Sequence, residues 1–277
     1  MIVIRIKGGL GNQLFQYASA RGIAASSGHT LKIDCQTGFP RDTYRRSYRL
    51  NHFRVPQAYA SNAEIWWSRA LTWRRWRAFR NFESAAMLQR GEFFLPELAR
   101  VPGGRSVYLE AYLQSPQYFS CIEAELRSEL SPEADSEPLR ARLRVIQGRD
   151  AVSVHVRRRD YARLLPAGYY LQAVELIRAR VGHREYFVFG DDLDWAAQEL
   201  HWLEPKTLVR NDSPNDDVAD LALMASCKHH VMANSTFSWW AAWLSGIKDG
   251  IVVAPGRGWT EIGVPPKDLF LPGWKVI

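Results

Sequence analysis

Short apolar runs alternate with longer stretches of helical periodicity over most of the chain. The runs at 1–6 and 151–156 have the length and the β-branched content of buried strands. The stretches at 13–27 and 168–181 repeat apolar residues at helical spacing. Because strands and helices alternate, we predict an α/β protein whose parallel sheets carry helices on both faces.

A polar, proline-containing segment at 131–150 interrupts this alternation. Segments of this composition commonly separate folded units. The chain has 277 residues, which is enough for two ordinary domains. We therefore predict an N-terminal domain at 1–145 and a C-terminal domain at 146–277.

Charge and cysteine usage narrow the class of protein. The 36 Lys and Arg residues outnumber the 29 Asp and Glu residues, and this excess favours an anionic partner such as a nucleotide, a nucleic acid or an acidic membrane surface. Cys35, Cys121 and Cys227 lie far apart and form no CxxC pair, which is typical of a reduced cytoplasmic protein and disfavours structural zinc. The sequence shows no signal-peptide pattern and no run of 18 apolar residues, so we expect a cytoplasmic protein without a membrane span.

An arginine cluster closes the apolar run at 151–156. Arg157, Arg158 and Arg159 follow this predicted strand directly. Open α/β sheets bind ligands at the carboxyl ends of their strands, and guanidinium groups match phosphate oxygens. With His155 inside the strand, the pattern predicts an anion pocket; the alternative is a solvated basic turn.

A glycine-rich turn, KGGLGN, joins the first strand to the first helix. Gly9 and Gly11 would let the backbone approach a ligand, and the helix N-terminus would favour an anion. Asn12 and Gln13 carry amides suited to sugar hydroxyls or phosphate. Together with Asp34, the glycines weakly match a dinucleotide fingerprint, although its third glycine is missing.

The segment NSTFSWWAAWL follows another predicted strand and begins a predicted helix. Hydroxyl groups at a helix start either cap the helix or, with its free N–H groups, form an anion cradle. The candidate ligand contacts here are Ser235, Thr236, Phe237 and Ser238.

Two further segments allow more than one interpretation. Asp191 and Asp192 follow the strand at 186–189. They are suited to a metal or to the N–H groups of a guanine, and equally to capping the next helix. The stretch 62–82 alternates tryptophan with arginine, a composition that fits either an interfacial membrane helix or a helix packed on the core.

Three segments in this order, GGLGNQLFQYA, HVRRRDY and NSTFSWWAAWL, resemble the α-1,2-fucosyltransferases of glycosyltransferase family 11. The segments YLEAYLQSPQYF, FVFGDDLDW and DVADLALMASC extend the resemblance over almost the whole chain, whereas the region 37–106 carries little of it. The resemblance implies a GT-B-like fold with two Rossmann-like domains and an interdomain cleft. The N-terminal domain would be the acceptor side, and the C-terminal domain would bind the nucleotide sugar.

The resemblance also implies an activity. The enzyme would move L-fucose from GDP-β-L-fucose to the 2-hydroxyl of a terminal galactose, with inversion and without a cofactor or an essential metal. Arg157 would bind the β-phosphate and stabilise the departing GDP, and His155 and Arg158 would line the nucleotide site. The other predicted donor contacts are Gly9, Gly11, Asn12, Gln13, Asp191, Asp192, Ser235, Thr236, Phe237 and Ser238.

Two points in the resemblance stay open. Asp160 and Glu110 are the candidates for the general base. The family usually has glycine where this chain has Arg159, and glycine tolerates a positive φ that arginine adopts poorly.

Two other classes of function remain as alternatives. The turn with Gly9, Gly11 and Asp34 is also compatible with an NAD-dependent oxidoreductase, which would leave HVRRRDY unexplained. A non-enzymatic basic module for nucleic acid or membrane surfaces is the second, although the sequence shows no RNP, helix-turn-helix or zinc pattern. We expect no nucleic-acid partner, and we consider 62–82 a candidate for peripheral contact with the inner face of a membrane.

Overall fold

A computed structural model shows two compact units in the chain. Unit 1 comprises Met1–Leu130 with Lys267–Leu269, and unit 2 comprises Ser131–Pro266 with Phe270–Ile277. The structure describes residues 1–78, 94–99, 101, 106–132, 136–159, 164–210, 216–256 and 266–277, leaving out the side chains of 72–78, 216 and 266.

Unit 1 contains a parallel three-stranded sheet in the order β2-β1-β3. Its strands are β1 (Ile2–Arg5), β2 (Leu31–Asp34) and β3 (Val107–Leu109). The side chains of Ile2, Val3 and Ile4 in the central strand are fully buried, as expected for a strand covered on both faces.

The helices of unit 1 are α1 (Leu10–Ser27), α2 (Asn62–Ala78) and α3 (Glu123–Glu129). Helix α1 begins three residues before its predicted start, because Gly8, with a φ of +79°, turns the chain and Gly9 is the N-cap. Gly11 consequently lies inside the first helical turn. The segment at 115–130 contains Pro116 and forms two short 3-10 turns followed by α3.

Unit 2 contains a parallel six-stranded sheet in the order β6-β5-β4-β7-β8-β9. Its strands are β4 (Val152–Val156), β5 (Tyr186–Gly190), β6 (Lys206–Leu208), β7 (His229–Val231), β8 (Val252–Ala254) and β9 (Lys275–Val276). The described helices that follow α3 are α4 (Glu137–Gln147), α5 (Ala167–Val181), α6 (Leu193–Glu199), α7 (Asp216–Ala225), α8 (Thr236–Ser245) and α9 (Pro266–Leu269).

The boundary between the units differs from the predicted one. The predicted position, between residues 145 and 146, falls inside α4, whereas the units divide between 130 and 131. Helix α4 buries Leu139 and Ile146 and packs against α7 of unit 2. Its polar composition reflects an exposed face on a surface helix rather than a linker.

Strand order identifies the ligand-binding edge of each sheet. In unit 2 the chain runs from β4 to β5 on one side and later returns to β7 on the other side of β4. In unit 1 the central β1 likewise lies between β2 and β3. Ligands of such sheets bind beyond the carboxyl ends of the strands where the order reverses. The candidate ligand-binding residues are therefore those after β4 and β7 in unit 2 and those after β1 and β3 in unit 1.

Candidate active site

Two arginines at the carboxyl end of β4 are held in place by neighbouring side chains. The Nε of Arg157 lies 3.3 Å from Oδ2 of Asp191. The Nε of Arg158 lies 3.8 Å from Oδ2 of Asp192, and its guanidinium lies 4.1 Å from the centre of the Trp195 ring. The two guanidiniums are half-buried and are held by these contacts within the protein.

Asp191 organises the loop that carries these arginines. Its carboxylate accepts hydrogen bonds from the backbone N–H groups of Arg158 at 2.7 Å and Arg159 at 3.2 Å. Gly190 allows this close approach, because a Cβ at its position would lie 2.1 Å from the carbonyl oxygen of Val156. The sequence pattern Gly-Asp-Asp therefore fixes the end of β5 against the end of β4.

Asp192 caps α6 by accepting a hydrogen bond from the N–H of Trp195 at 3.1 Å. Both carboxylates thus have partners within the chain, and a contact with guanine stays a prediction. Asp160, one of the predicted bases, lies outside the described residues.

Arg159 fits its position without backbone strain. In the described part of the chain the non-glycine residues with positive φ are Arg45 and Leu113, so Arg159 does not need the conformation that favours glycine. Its side chain is exposed.

His155 is a neutral, buried ring beside the arginines. Its side chain is 4% exposed, and burial, together with the charge of Arg157, lowers its pKa to about 3. Its Nδ1 has no hydrogen-bond partner among the described residues, and its ring centre lies 5.6 Å from that of Phe237. His155 therefore links the end of β4 to the start of α8.

The start of α8 follows β7 at the same edge of the sheet. Ser235 is the N-cap, and its Oγ accepts a hydrogen bond from the N–H of Phe237 at 3.3 Å. Ser238 is buried and donates to the carbonyl groups of Ala233 and Ser235, so its hydroxyl serves the helix start rather than a ligand surface. Thr236 and Phe237 are half-buried.

The amides of the glycine turn in unit 1 have partners within unit 1. Gln13 is buried and donates to the carbonyl oxygens of Gly8 at 2.8 Å and Ser47 at 2.9 Å, and it accepts from the N–H of Arg49 at 2.9 Å. Oδ1 of Asn12 accepts from Gln114 at 2.9 Å. In this structure these amides hold the turn, and their predicted contacts with the donor lack direct support.

Glu110 follows β3 and forms an ion pair with Arg5. Its second oxygen lies 3.9 Å from Arg69. To act as the general base, the Glu110 carboxylate would have to give up one of these contacts.

Asp34 is fully buried and accepts from the hydroxyl groups of Tyr108 at 2.6 Å and Thr37 at 2.5 Å. It also accepts from the N–H groups of Gln36 and Thr37. A carboxylate that accepts these four hydrogen bonds has no capacity left for the ribose of a dinucleotide. Asp34 therefore holds the structure of unit 1, and its match with Gly9 and Gly11 to the fingerprint does not indicate a dinucleotide site.

A cavity of about 530 Å³ lies in unit 1 beyond the carboxyl end of β1. Cationic and aromatic side chains dominate its lining, chiefly Arg5, Lys7, Arg41, Arg46, Arg69 and Tyr112. Sequence reasoning missed this group, because its members come from an irregular basic segment and two separate elements. Within the described ranges no cluster of three or more His, Cys, Asp or Glu side chains is arranged to hold a metal ion.

Comparisons with known proteins agree with this geometry. The family model for glycosyl transferase family 11 matches residues 76–277. An α-1,2-colitosyltransferase from Escherichia coli is 28% identical over 92% of this chain and 91% of its own length. A galactoside 2-α-L-fucosyltransferase, SEC1, from Bos taurus is 26% identical over 99% of this chain and 73% of its own length.

Solved structures show the same architecture. The fucosyltransferase NodZ from Bradyrhizobium superposes with a TM-score of 0.55 at 17% identity, covering 87% of this chain and 92% of its own. NodZ α-1,6-fucosyltransferase soaked with GDP-fucose gives 0.56 at 19% identity, covering 88% and 91%.

The fold is GT-B-like, and the protein is a glycosyltransferase. More narrowly, the chain belongs to glycosyl transferase family 11. This confirms the family and fold class that the sequence motifs predicted and replaces both the oxidoreductase and the non-enzymatic alternative.

Proposed function

We propose that the enzyme transfers L-fucose from GDP-β-L-fucose to the 2-hydroxyl of a terminal galactose, forming an α-1,2 linkage. The observation that carries this proposal is the position of Arg157 and Arg158 at the carboxyl end of β4, beside the start of α8, where neighbouring side chains hold both guanidiniums in a family 11 chain. Unit 2 is the proposed donor side, and unit 1 is the proposed acceptor side.

The reaction needs positive charge at the phosphates. The galactose 2-oxygen attacks the anomeric carbon of fucose, while the bond from that carbon to the phosphate oxygen breaks and its electron pair leaves with GDP. Arg157 neutralises the charge that develops on the departing phosphate, and the braced geometry avoids reorganisation during the step. The neutral His155 lines the nucleotide site without adding charge.

The proton of the galactose 2-hydroxyl goes to a base, for which Asp160 and Glu110 are the proposed candidates. Glu110 would have to exchange its contact with Arg5 or Arg69 for the sugar hydroxyl. A base within hydrogen-bond reach of the hydroxyl contributes typically about 10²- to 10⁴-fold to such a reaction.

The test measures release of GDP from GDP-fucose with a panel of galactose-terminated glycans. We expect release that depends on a terminal galactose, at a rate that addition of a chelator leaves unchanged. Release that needs no acceptor, or that depends on another terminal sugar, would contradict the proposal.

Colitose is a second candidate for the transferred sugar, because one relative at 28% identity is an α-1,2-colitosyltransferase. Colitose lacks the 3-hydroxyl of L-fucose. A site that hydrogen-bonds a substrate hydroxyl rejects the analogue without it by about 10⁴- to 10⁵-fold. Competition between GDP-fucose and GDP-colitose in one reaction therefore identifies the preferred donor.

A peripheral contact of the 62–82 stretch with a membrane, for a cytoplasmic enzyme, is also part of this proposal. Trp66 and Trp67 on α2 are 60% and 59% exposed, and their rings meet edge to face. Among the described helices, none has the length and apolarity needed to cross a membrane. Flotation with anionic vesicles should fall in a Trp66→Ala, Trp67→Ala variant; unchanged flotation would contradict the contact.

A further inference from the structure

We propose that the natural acceptor carries an acidic group, a carboxylate or a phosphate, close to the galactose, and that the cavity in unit 1 binds this group. The inference rests on the proposed function for the galactose and for the acceptor role of unit 1. The cavity itself defines the charge of the acceptor.

The lining of the cavity is strongly cationic. The lining contains the carboxylate of Asp42, and the carboxylate of Glu110 lies nearby. The cationic side chains of the lining are more numerous and come from three segments of unit 1. The cations that line it are Arg5, Lys7, Arg41, Arg46 and Arg69. Glu110 is already shared by Arg5 and Arg69, and Asp42 accepts from the N–H groups of Tyr44 and Arg46.

Two of these cations, Lys7 and Arg41, are not neutralised by direct contact with a carboxylate among the described residues. Burial lowers the pKa of the Lys7 ammonium more than the nearby charge of Glu110 raises it, and the Nζ of Lys7 lies 5.3 Å from the centre of the Tyr112 ring. In the described part of the chain, neither Lys7 nor Arg41 forms an ion pair. A bound anion would offset the desolvation of Lys7, and an unpaired, partly buried charge is otherwise unfavourable.

The cavity also has the size and surface of a sugar site. Its volume of about 530 Å³ lies within the range of ligand pockets. The rings of Tyr44 and Tyr112 line it, and the Arg46 guanidinium lies 4.4 Å from the centre of the Tyr44 ring. Aromatic faces suit the C–H faces of a sugar, while the cations select a charged one.

Two acidic acceptors show whether the cavity binds a carboxylate or a phosphate. The first is a galactosyl disaccharide whose second sugar is a uronic acid; the second is a neutral galactosyl disaccharide on a phosphodiester aglycone. The same neutral disaccharide on an uncharged aglycone is the reference. The enzymes are the wild type, a Lys7→Gln, Arg41→Gln variant, and an Arg45→Gln control that removes one exposed charge from the same loop outside the cavity lining.

We expect the wild type to have a lower KM for at least one acidic acceptor than for the neutral one. In the Lys7→Gln, Arg41→Gln variant the KM for that acceptor should rise about 10- to 100-fold, as expected for the loss of charged hydrogen bonds. The KM for the neutral acceptor should rise far less. Arg45→Gln should behave as the wild type, which separates a local contact from general electrostatic attraction.

Equal KM values for acidic and neutral acceptors in the wild type would overturn the proposal. So would a loss of GDP-fucose affinity in the double variant, measured by calorimetry, because the cations would then serve the donor. If no acceptor is fucosylated, the proposed function fails, and calorimetry with the same glycans still decides the cavity proposal: tighter binding of an acidic glycan supports it, and equal or absent binding overturns it.

Discussion

The two sheets of this enzyme present positive charge at their carboxyl edges in opposite ways. At the end of β4, Arg157 and Arg158 are each held by a carboxylate, and Arg158 also lies on the ring of Trp195. Beyond β1, Lys7 and Arg41 face a cavity without a paired carboxylate in the described part of the chain. The arginines at the end of β4, which are held by carboxylates, are suited to stabilise charge that develops during a reaction. Lys7 and Arg41, which have no paired carboxylate among the residues described, are suited to bind charge that a substrate brings.

The two edges differ in how firmly neighbouring side chains hold their charged groups in position. A transition state gains most from dipoles and charges that are already in position. A recognition site gains from charges whose countercharge arrives with the correct substrate, because a partner without that charge leaves them unpaired. The family 11 model matches residues 76–277, which include the end of β4 but not the residues directly after β1, so the two edges make separate predictions.

The largest effect is expected from Arg157→Ala, which removes the cation held by Asp191 from the proposed phosphate site. We expect kcat to fall about 100- to 1000-fold, as for the loss of a preorganised donor to a developing negative charge. Turnover with GDP-fucose measures this. Arg159→Gly is the matched control: its side chain is exposed and its backbone is unstrained, so kcat should stay within about threefold. A rate close to wild type for Arg157→Ala would remove the basis of the comparison.

Gln13→Ala tests whether the glycine turn is a structural clamp. The substitution leaves the carbonyl groups of Gly8 and Ser47 and the N–H of Arg49 without their partner. The free energy of unfolding should fall by roughly 2–3 kcal/mol, since unsatisfied buried groups are costly. Chemical denaturation measures it, with Asn12→Ala, which removes the acceptor of the Gln114 hydrogen bond, as the control. Unchanged stability with a raised KM for GDP-fucose would instead make Gln13 a donor contact.

Asp191→Asn tests the bracing itself. The amide keeps the size of the carboxylate but loses the charge that faces Arg157. We expect kcat to fall about tenfold, because small displacements of a catalytic group weaken catalysis strongly. Asp194→Asn removes a carboxylate from an exposed ion pair with Arg210 and should have little effect. Equal rates for the two variants would show that bracing does not matter.

His155 predicts a dependence of stability on pH. Its folded pKa of about 3 lies below its ordinary value of 6.5, so the unfolded chain binds the proton more readily between these values. The contribution is fully present above pH 6.5 and is lost as the pH falls toward 3, by at most about 1.4 kcal/mol per pH unit. Unfolding measured from pH 7 to pH 5 should therefore be less pH-dependent in His155→Gln. Identical slopes would contradict a neutral, buried His155; His230, also buried with a pKa near 3, contributes equally to both proteins.

The sequence predicted the elements whose signals are local. An apolar run predicts the strand before Arg157, an N-cap pattern predicts the helix after Ser235, and the structure contains both elements at these positions. The capping role of Asp192 was one of two interpretations of its motif, and the structure shows the cap.

Long-range pairing explains what the sequence could not predict. The hydrogen bonds of Gln13 with Ser47 and Arg49 join residues more than 30 positions apart, in an irregular segment, so no local pattern predicts them. The cavity of unit 1 combines side chains after β1 with a loop that has no periodicity. The start of α1 at Leu10 depends on the positive φ of Gly8, which a run of several glycines does not assign to one position.

The most direct test of the account is the linkage of the product formed from GDP-fucose. Two matched acceptors, a β-galactoside and its 2-deoxy analogue, are incubated with the wild-type enzyme, and the product is analysed by NMR. The account predicts an α-linked fucose on the galactose 2-oxygen and no product from the 2-deoxy acceptor. Fucosylation of the 2-deoxy acceptor, or a linkage at any other oxygen, would contradict it.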